Sequence, residues 1–248
     1  MVKAPGHDAR FVIASDQSLI VYFDAPGEAG RAEAGRLQSQ ITQRGHEQVR
    51  KLLHLLQQEP VAGVRNLHPA YASLLVVFDG VRLGHAEVAE ILRGYLARME
   101  DVELPEGRLV EIPVCYGGEF GADLAEVAGS HGITVERAIE LHSSTTYLVY
   151  FLGFVPGFAY LGELPEELVT PRLATPRRGV PKGSVGIAGN QTGVYPLATP
   201  GGWRLIGQTP IPMVRPEREE LSLLAIGDRV RFTPISAERF AMLERVWG

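Results

Sequence analysis

The sequence has a single cysteine, Cys115, in 248 residues, so no internal disulfide can form, which fits a reducing compartment. No apolar run approaches the roughly 18 residues that a membrane-crossing helix needs. The N-terminal stretch MVKAPGHDARFVIASDQSLIVYF breaks its two apolar runs at Ser15, Asp16 and Gln17, so the unbroken core of a secretory signal peptide is missing. A cytoplasmic location away from membranes is therefore expected. There is no excess of positive charge: 24 basic residues face 29 acidic ones, for a formal charge of -5, which argues against a nucleic-acid-binding face. The seven histidines are scattered without paired Cys or His-x-x-x-His spacing, so no metal site is expected. No repeat of 20 to 50 residues is visible.

What is present reads as an ordinary folded chain, 45% hydrophobic and 21% charged. FVIA and LIVYF, either side of Ser15-Asp16-Gln17-Ser18, read as a hairpin over residues 10 to 24. From Arg31 to Gln58 the spacing becomes helical through Leu37, Ile41, Val49, Leu52, Leu53 and Leu56, with Gly45 weakening the middle and Pro60 ending it. Two strands follow in VRNLHPAYASLLVVFD. His85 to Met99 returns to helical spacing through Val88, Ile91, Leu92, Tyr95 and Leu96. This ββαββα order predicts a small α+β domain. The turn-rich DVELPEGR, Asp101 to Arg108, is the candidate boundary, giving domains at 1–103 and 104–248.

The second part opens with a strand, LVEIPVCY, and two short helical patterns, Asp123 to Ala128 and Thr134 to Leu141, with Thr134 as N-cap. Helical periodicity then stops. Residues 151 to 210 hold eleven of the 28 glycines and eight of the 17 prolines, with short apolar runs between them. That pattern predicts a β-barrel or sandwich with tight corners, followed by a strand DRVRFTPI and a helix from Ala237 to Val246. The stretch FLGFVPGFAYLG, Phe151 to Gly162, stands out for packing four aromatics, three glycines and a proline into twelve residues.

Each candidate for chemistry has a simpler alternative. Cys115 with a nearby histidine would make a thiolate nucleophile, but the apolar run IPVCY favours a small buried side chain. RRGVPKGSVGIAGNQTG, Arg177 to Gly193, contains Lys182-Gly183-Ser184 among glycines. It does not fit a P-loop, because the spacing and the strand-to-helix context are missing. Its cations Arg177, Arg178 and Lys182 suit either a carboxylate or phosphate partner or a solvated surface. His142, followed by Ser143, Ser144, Thr145 and Thr146, is either a general acid or base or a favourable charge at a helix C-terminus. Glu119 suits the approach to a helix N-terminus.

The run FLGFVPGFAYLGELPEELVTPRLATPRRGVPKGSVGIAGNQTGVYPLATPGGWRLIGQTP, with IPVCYGGEFGADL and ITVERAIELHSS before it, resembles the KipI family. That family is also known as PxpB, the B-component of the prokaryotic ATP-dependent 5-oxoprolinase, and formerly as allophanate hydrolase subunit 1. The resemblance covers roughly residues 10 to 235. It implies a small α+β N-terminal domain followed by a cyclophilin-like β-barrel domain. It also implies an enzyme subunit that opens 5-oxo-L-proline to L-glutamate only together with a KipA/PxpC-type subunit and a LamB/YcsF-type PxpA subunit. ATP would be used by the complex rather than bound by this chain alone. The alternatives it carries are inhibition of a sensor histidine kinase and, less strongly, a role in urea or allophanate metabolism. On this resemblance Phe154, Phe158 and Tyr160 wall a groove for the lactam, and Gln191, Tyr195 and Trp203 orient it. Arg177 or Lys182 receives the carboxylate, and His142 carries the proton. The resemblance also implies that many members of the family have alanine where this chain has Lys182. A competing role for Phe151 and Phe154 is docking of a partner protein.

Overall fold

The run SLLVVF alternates as a half-buried strand must: Leu74, Val76 and Phe78 are sealed from solvent and the residues between them are half-buried. In the computed structural model, which describes residues 9–23, 43–218 and 220–247, this run lies in the first of two units, Met1–Pro105 and Glu106–Gly248. The first unit contains β1 (Arg10–Ser15), β2 (Ser18–Tyr22), α1 (Gln43–Gln58), β3 (Val64–Pro69), β4 (Ser73–Phe78) and α2 (His85–Leu96). Its strands form one antiparallel sheet in the order β1-β2-β4-β3. Val49, Leu52, Leu53 and Leu56 repeat at helical spacing along α1, and Val88, Ala89, Leu92 and Leu96 do so along α2. All eight are buried, as an amphipathic helix covering a sheet requires. The ββαββα order matches the sequence reading. The part of the first helical pattern that includes Leu37 and Ile41 lies outside the described residues.

The second unit runs β5 (Leu109–Tyr116), α3 (Leu124–Ser130), α4 (Val135–Ser144), β6 (Thr146–Leu152), β7 (Ala159–Gly162), β8 (Arg177–Val180), β9 (Ser184–Ala188), β10 (Gln191–Val194), β11 (Thr199–Gly201), β12 (Arg204–Gln208), β13 (Arg229–Pro234) and α5 (Ala237–Trp247). Seven strands close a barrel in the order β10-β7-β6-β13-β5-β12-β9, while β8 and β11 pair separately. Every barrel pairing is antiparallel except that of β13 with β5. The last strand therefore returns beside the first strand of the unit. The fold class is α+β with a closed barrel.

Two hydrophobic cores follow from the alternation of the barrel strands. Ile112, Val114, Tyr147, Val149, Leu161, Val185, Ile187, Val194, Ile206, Val230 and Phe232 form one core with Leu124, Val127 and Ala128 of α3 and Ala138 and Leu141 of α4. Side chains fill a barrel of this size and leave no channel. A second, smaller core collects Phe158, Val180, Ala188, Tyr195, Trp203 and Leu205. Residues adjacent along a strand, such as Ile187 and Ala188 or Leu205 and Ile206, divide between the two cores, so the smaller one lies on the opposite face of the same wall. Helix α4 starts as its sequence predicts: Thr134 Oγ1 accepts from the Arg137 N–H at 3.1 Å, a cap contributing about 1 kcal/mol.

Candidate functional site

FLGFVPGFAYLG is the β6–β7 hairpin. Phe151 pairs with Tyr160 and Leu152 with Ala159, and the two rings of the first pair stack with centroids 4.5 Å apart and planes 15° apart. In the turn, the Gly153 N–H donates to the Phe158 carbonyl at 3.0 Å and the Phe158 N–H to the Val155 carbonyl at 3.1 Å. This tight closure brings two phenylalanines edge to face, with ring centroids 5.6 Å apart, at very different depths. Phe158 is 2% exposed and packs edge-on to Tyr160, Tyr195 and Trp203 at 4.9, 5.4 and 5.4 Å. Phe154 has φ 67° and stays 60% exposed, although a left-handed backbone is costly for a bulky residue.

The rings reach the barrel wall because Gly193 of β10 has no side chain. A Cβ there would lie 2.9 Å from the Ala159 carbonyl oxygen and 3.1 Å from the Phe158 ring. Phe158, Tyr195 and Trp203 thus form a buried base, at 2, 2 and 5% exposure. Tyr160 and Phe151 are half-buried at the margin and Phe154 projects beyond. Burial raises the Tyr195 and Tyr160 phenols above their ordinary range, so both stay protonated at neutral pH. Gln191, on the same strand, is 2% exposed.

Arg177 comes to the edge of this cluster, but its charge is already engaged. Its guanidinium donates to Asp123 Oδ1 at 2.6 Å and to the Trp203 carbonyl at 3.4 Å. Asp123 is 5% exposed, and its other carboxylate oxygen accepts the Leu205 N–H at 2.6 Å. Asp123 therefore links the start of α3, β8 and β12. Arg178 and Lys182 are exposed.

His142 sits elsewhere, on the inner side of the wall. It is 0% exposed, and its ring stacks on Phe232 at 4.6 Å. The Thr192 hydroxyl donates to the Gly186 carbonyl at 3.1 Å, so at 2.9 Å it accepts from His142 Nε2–H. Nδ1, 2.8 Å from the Tyr116 hydroxyl, then accepts from that hydroxyl. Thr192 and Gly193 are consecutive on β10, one facing His142 and the other facing Phe158, so the strand separates the histidine from the aromatic cluster. Burial lowers the His142 pKa to about 3, and the imidazole stays neutral.

That burial predicts acid sensitivity. The folded state holds His142 neutral, whereas the unfolded chain takes up a proton near pH 6.5, so the stability is complete above about pH 6.5 and declines as pH falls toward 3. At pH 5 the loss is about 2 kcal/mol relative to pH 7.5. His46 of the first unit, lowered to about 4 by burial and then by the Arg50 charge, adds a decline of the same sign. Urea unfolding of wild type and His142→Gln at the two pH values measures this: the variant is expected to show the smaller pH dependence, and equal dependence would contradict the assignment.

Among the described residues no group of three His, Cys, Asp or Glu is arranged to hold a metal ion, and no helix is long and apolar enough to cross a membrane. Cys115 is buried, and burial, with Glu119 and Glu238 adding to it, raises its thiol, the reverse of what a thiolate nucleophile needs.

The carboxyltransferase domain, subdomain C and D, family matches residues 29–224. The 5-oxoprolinase B-component of Bacillus subtilis (strain 168) is 42% identical over 210 residues, 79% of this chain and 87% of its own length. The 5-oxoprolinase B-component of Escherichia coli O157:H7 is 52% identical over 166 residues, 67% of this chain and 76% of its own. The chain belongs to the PxpB family. The solved structure of TTHA0988 aligns with a TM-score of 0.74 and 34% identity over 89% of this chain, which spans 40% of that one.

For this member of the PxpB family, the structure gathers Phe158, Tyr160, Tyr195 and Trp203 on the outer face of the barrel, with Phe154 beside Phe158 and Arg177 beside Trp203. It does not gather His142 with them. Two residues escaped the sequence reading. Asp123 lay inside a helical pattern with no local sign of partners 54 and 82 positions away. Arg172 was not singled out within the long family run that contains it, and it is exposed.

Proposed function

We propose that this chain is one component of a cytoplasmic ATP-dependent 5-oxoprolinase that opens 5-oxo-L-proline to L-glutamate, together with a KipA/PxpC-type and a LamB/YcsF-type PxpA partner. The observation that carries the reading is the 42 to 55% identity to three proteins named as the B-component of 5-oxoprolinase. An unstrained lactam is a poor electrophile. Transfer of the γ-phosphoryl group of ATP to the lactam oxygen releases ADP and activates the ring carbon; water adds to that carbon, the C–N bond breaks and the nitrogen takes a proton, which leaves the side-chain carboxyl as an acyl phosphate that a second water cleaves to glutamate and phosphate. Such a reaction depends on stabilising charge on oxygen rather than on a strong nucleophile. In this reading the aromatic margin of Phe151, Phe154 and Tyr160 offers flat apolar surface to the ring, with Phe158, Tyr195 and Trp203 as its rigid support. Arg177 positions that support through Asp123 and the Trp203 carbonyl. His142, sealed inside the barrel, has a structural role, and the protons are moved by groups outside this chain's core.

An omission series tests the reading: this chain, the PxpA-type partner and the PxpC-type partner are assayed alone, in each pair and together for glutamate and ADP. One ADP per glutamate in the full mixture, and no glutamate when this chain is left out, is the expected outcome. Undiminished turnover without this chain would reject it.

A further inference from the structure

The strap of residues 170–173, anchored beside Trp203, presents a cation that no ion pair among the described residues uses. Thr170 and Gly189 exchange backbone hydrogen bonds, with the Gly189 N–H donating to the Thr170 carbonyl at 2.7 Å. The Leu173 N–H donates to the Gly202 carbonyl at 2.8 Å, next to Trp203. The Thr170 hydroxyl donates to the Leu168 carbonyl at 2.9 Å and accepts from His131 Nε2 at 3.0 Å. Between these anchors lie Pro171, whose ring fixes one backbone dihedral, and Arg172. The strap is therefore pinned at both ends, and Arg172 is one residue from the anchor beside Trp203.

We infer that Arg172 is the residue that binds the carboxylate of the substrate, beside the aromatic margin that takes its ring. The inference rests on the function proposed above. Its guanidinium is exposed and makes no hydrogen bond or ion pair among the described residues, while its positive charge reaches the phenols of both Tyr160 and Tyr195. A planar fork of donors beside apolar rings suits a small ring that carries a carboxylate. The other cations are less suited. Arg177 is neutralised by Asp123 at 2.6 Å, and recruiting it would leave that buried carboxylate unpaired. Arg178 follows Arg177 on β8 and points to the opposite face. Lys182 precedes β9, whereas the strap bridges Gly189 at its far end, about 13 Å along the strand.

The test uses the assembled complex, with 5-oxoproline as substrate and 2-pyrrolidinone, which has the lactam but no carboxylate, as competitor. Arg172→Gln is expected to raise KM for 5-oxoproline about 10- to 100-fold while leaving kcat and the inhibition constant of 2-pyrrolidinone near their wild-type values. Arg172→Lys should recover part of the loss, and Arg178→Gln should stay within about twofold of wild type. An unchanged KM in Arg172→Gln, or an equal weakening of both ligands, overturns the assignment and leaves the proposed function standing. A wild-type assembly that does not open 5-oxoproline overturns the proposed function and this assignment with it.

Discussion

Replacing Phe158 with alanine is expected to destabilise the second unit by about 3–5 kcal/mol, read as a shift in the urea midpoint at unchanged slope. The ring is 2% exposed and touches Phe154, Tyr160, Tyr195 and Trp203. Neighbours that stack against the barrel wall at Gly193 have little room to collapse into the space left behind. Phe158→Leu, which keeps most of the volume, should lose clearly less. A loss below about 1 kcal/mol for the alanine variant would mean that Phe158 lines an open groove rather than supporting one.

Asp123→Ala should cost about 2–4 kcal/mol. It leaves the buried Leu205 N–H without its acceptor and Arg177 without its partner. The lower end of the range applies if Arg177, whose side chain is 29% exposed, turns to water. Combining it with Arg177→Gln in a double-mutant cycle should recover part of the loss, because the second substitution removes a cation already stripped of its partner. Strict additivity of the two single losses would show that Asp123 acts on Leu205 alone.

Local pattern carried the reading of individual elements further than the reading of which faces meet. The stripe Val49, Leu52, Leu53, Leu56 is visible by eye and became the buried face of its helix, whereas Leu74 to Phe78 is an unbroken apolar run in which the structure alone singles out Leu74, Val76 and Phe78 as the buried face. The density of aromatics in FLGFVPGFAYLG stands out in the sequence, and the structure joins all four in one cluster. Its depth was hidden, because only the β10 pairings with β7 and β9 decide that Gly193 faces the rings and Thr192 faces His142. The expectation that His142 carries the proton came with the family resemblance; its position at the end of a helix beside hydroxyls had left a plain structural reading open. In the structure both ring nitrogens are satisfied by Tyr116 and Thr192 from distant strands. Asp123 and Arg177 are 54 residues apart, so nothing local could reveal that the cation expected to meet a substrate already meets a carboxylate. The parallel return of β13 beside β5 is likewise a property of closure, not of either strand's composition.

Hydrogen–deuterium exchange on the assembled complex, with and without 5-oxoproline and a non-hydrolysable ATP analogue, tests most directly the claim that the outer face of the barrel wall receives the substrate. The account predicts slower exchange in the strap around residues 170–173 and in the 151–160 hairpin, with α4 around His142 unchanged. Slower exchange around His142 with no change in the strap or the hairpin would contradict it.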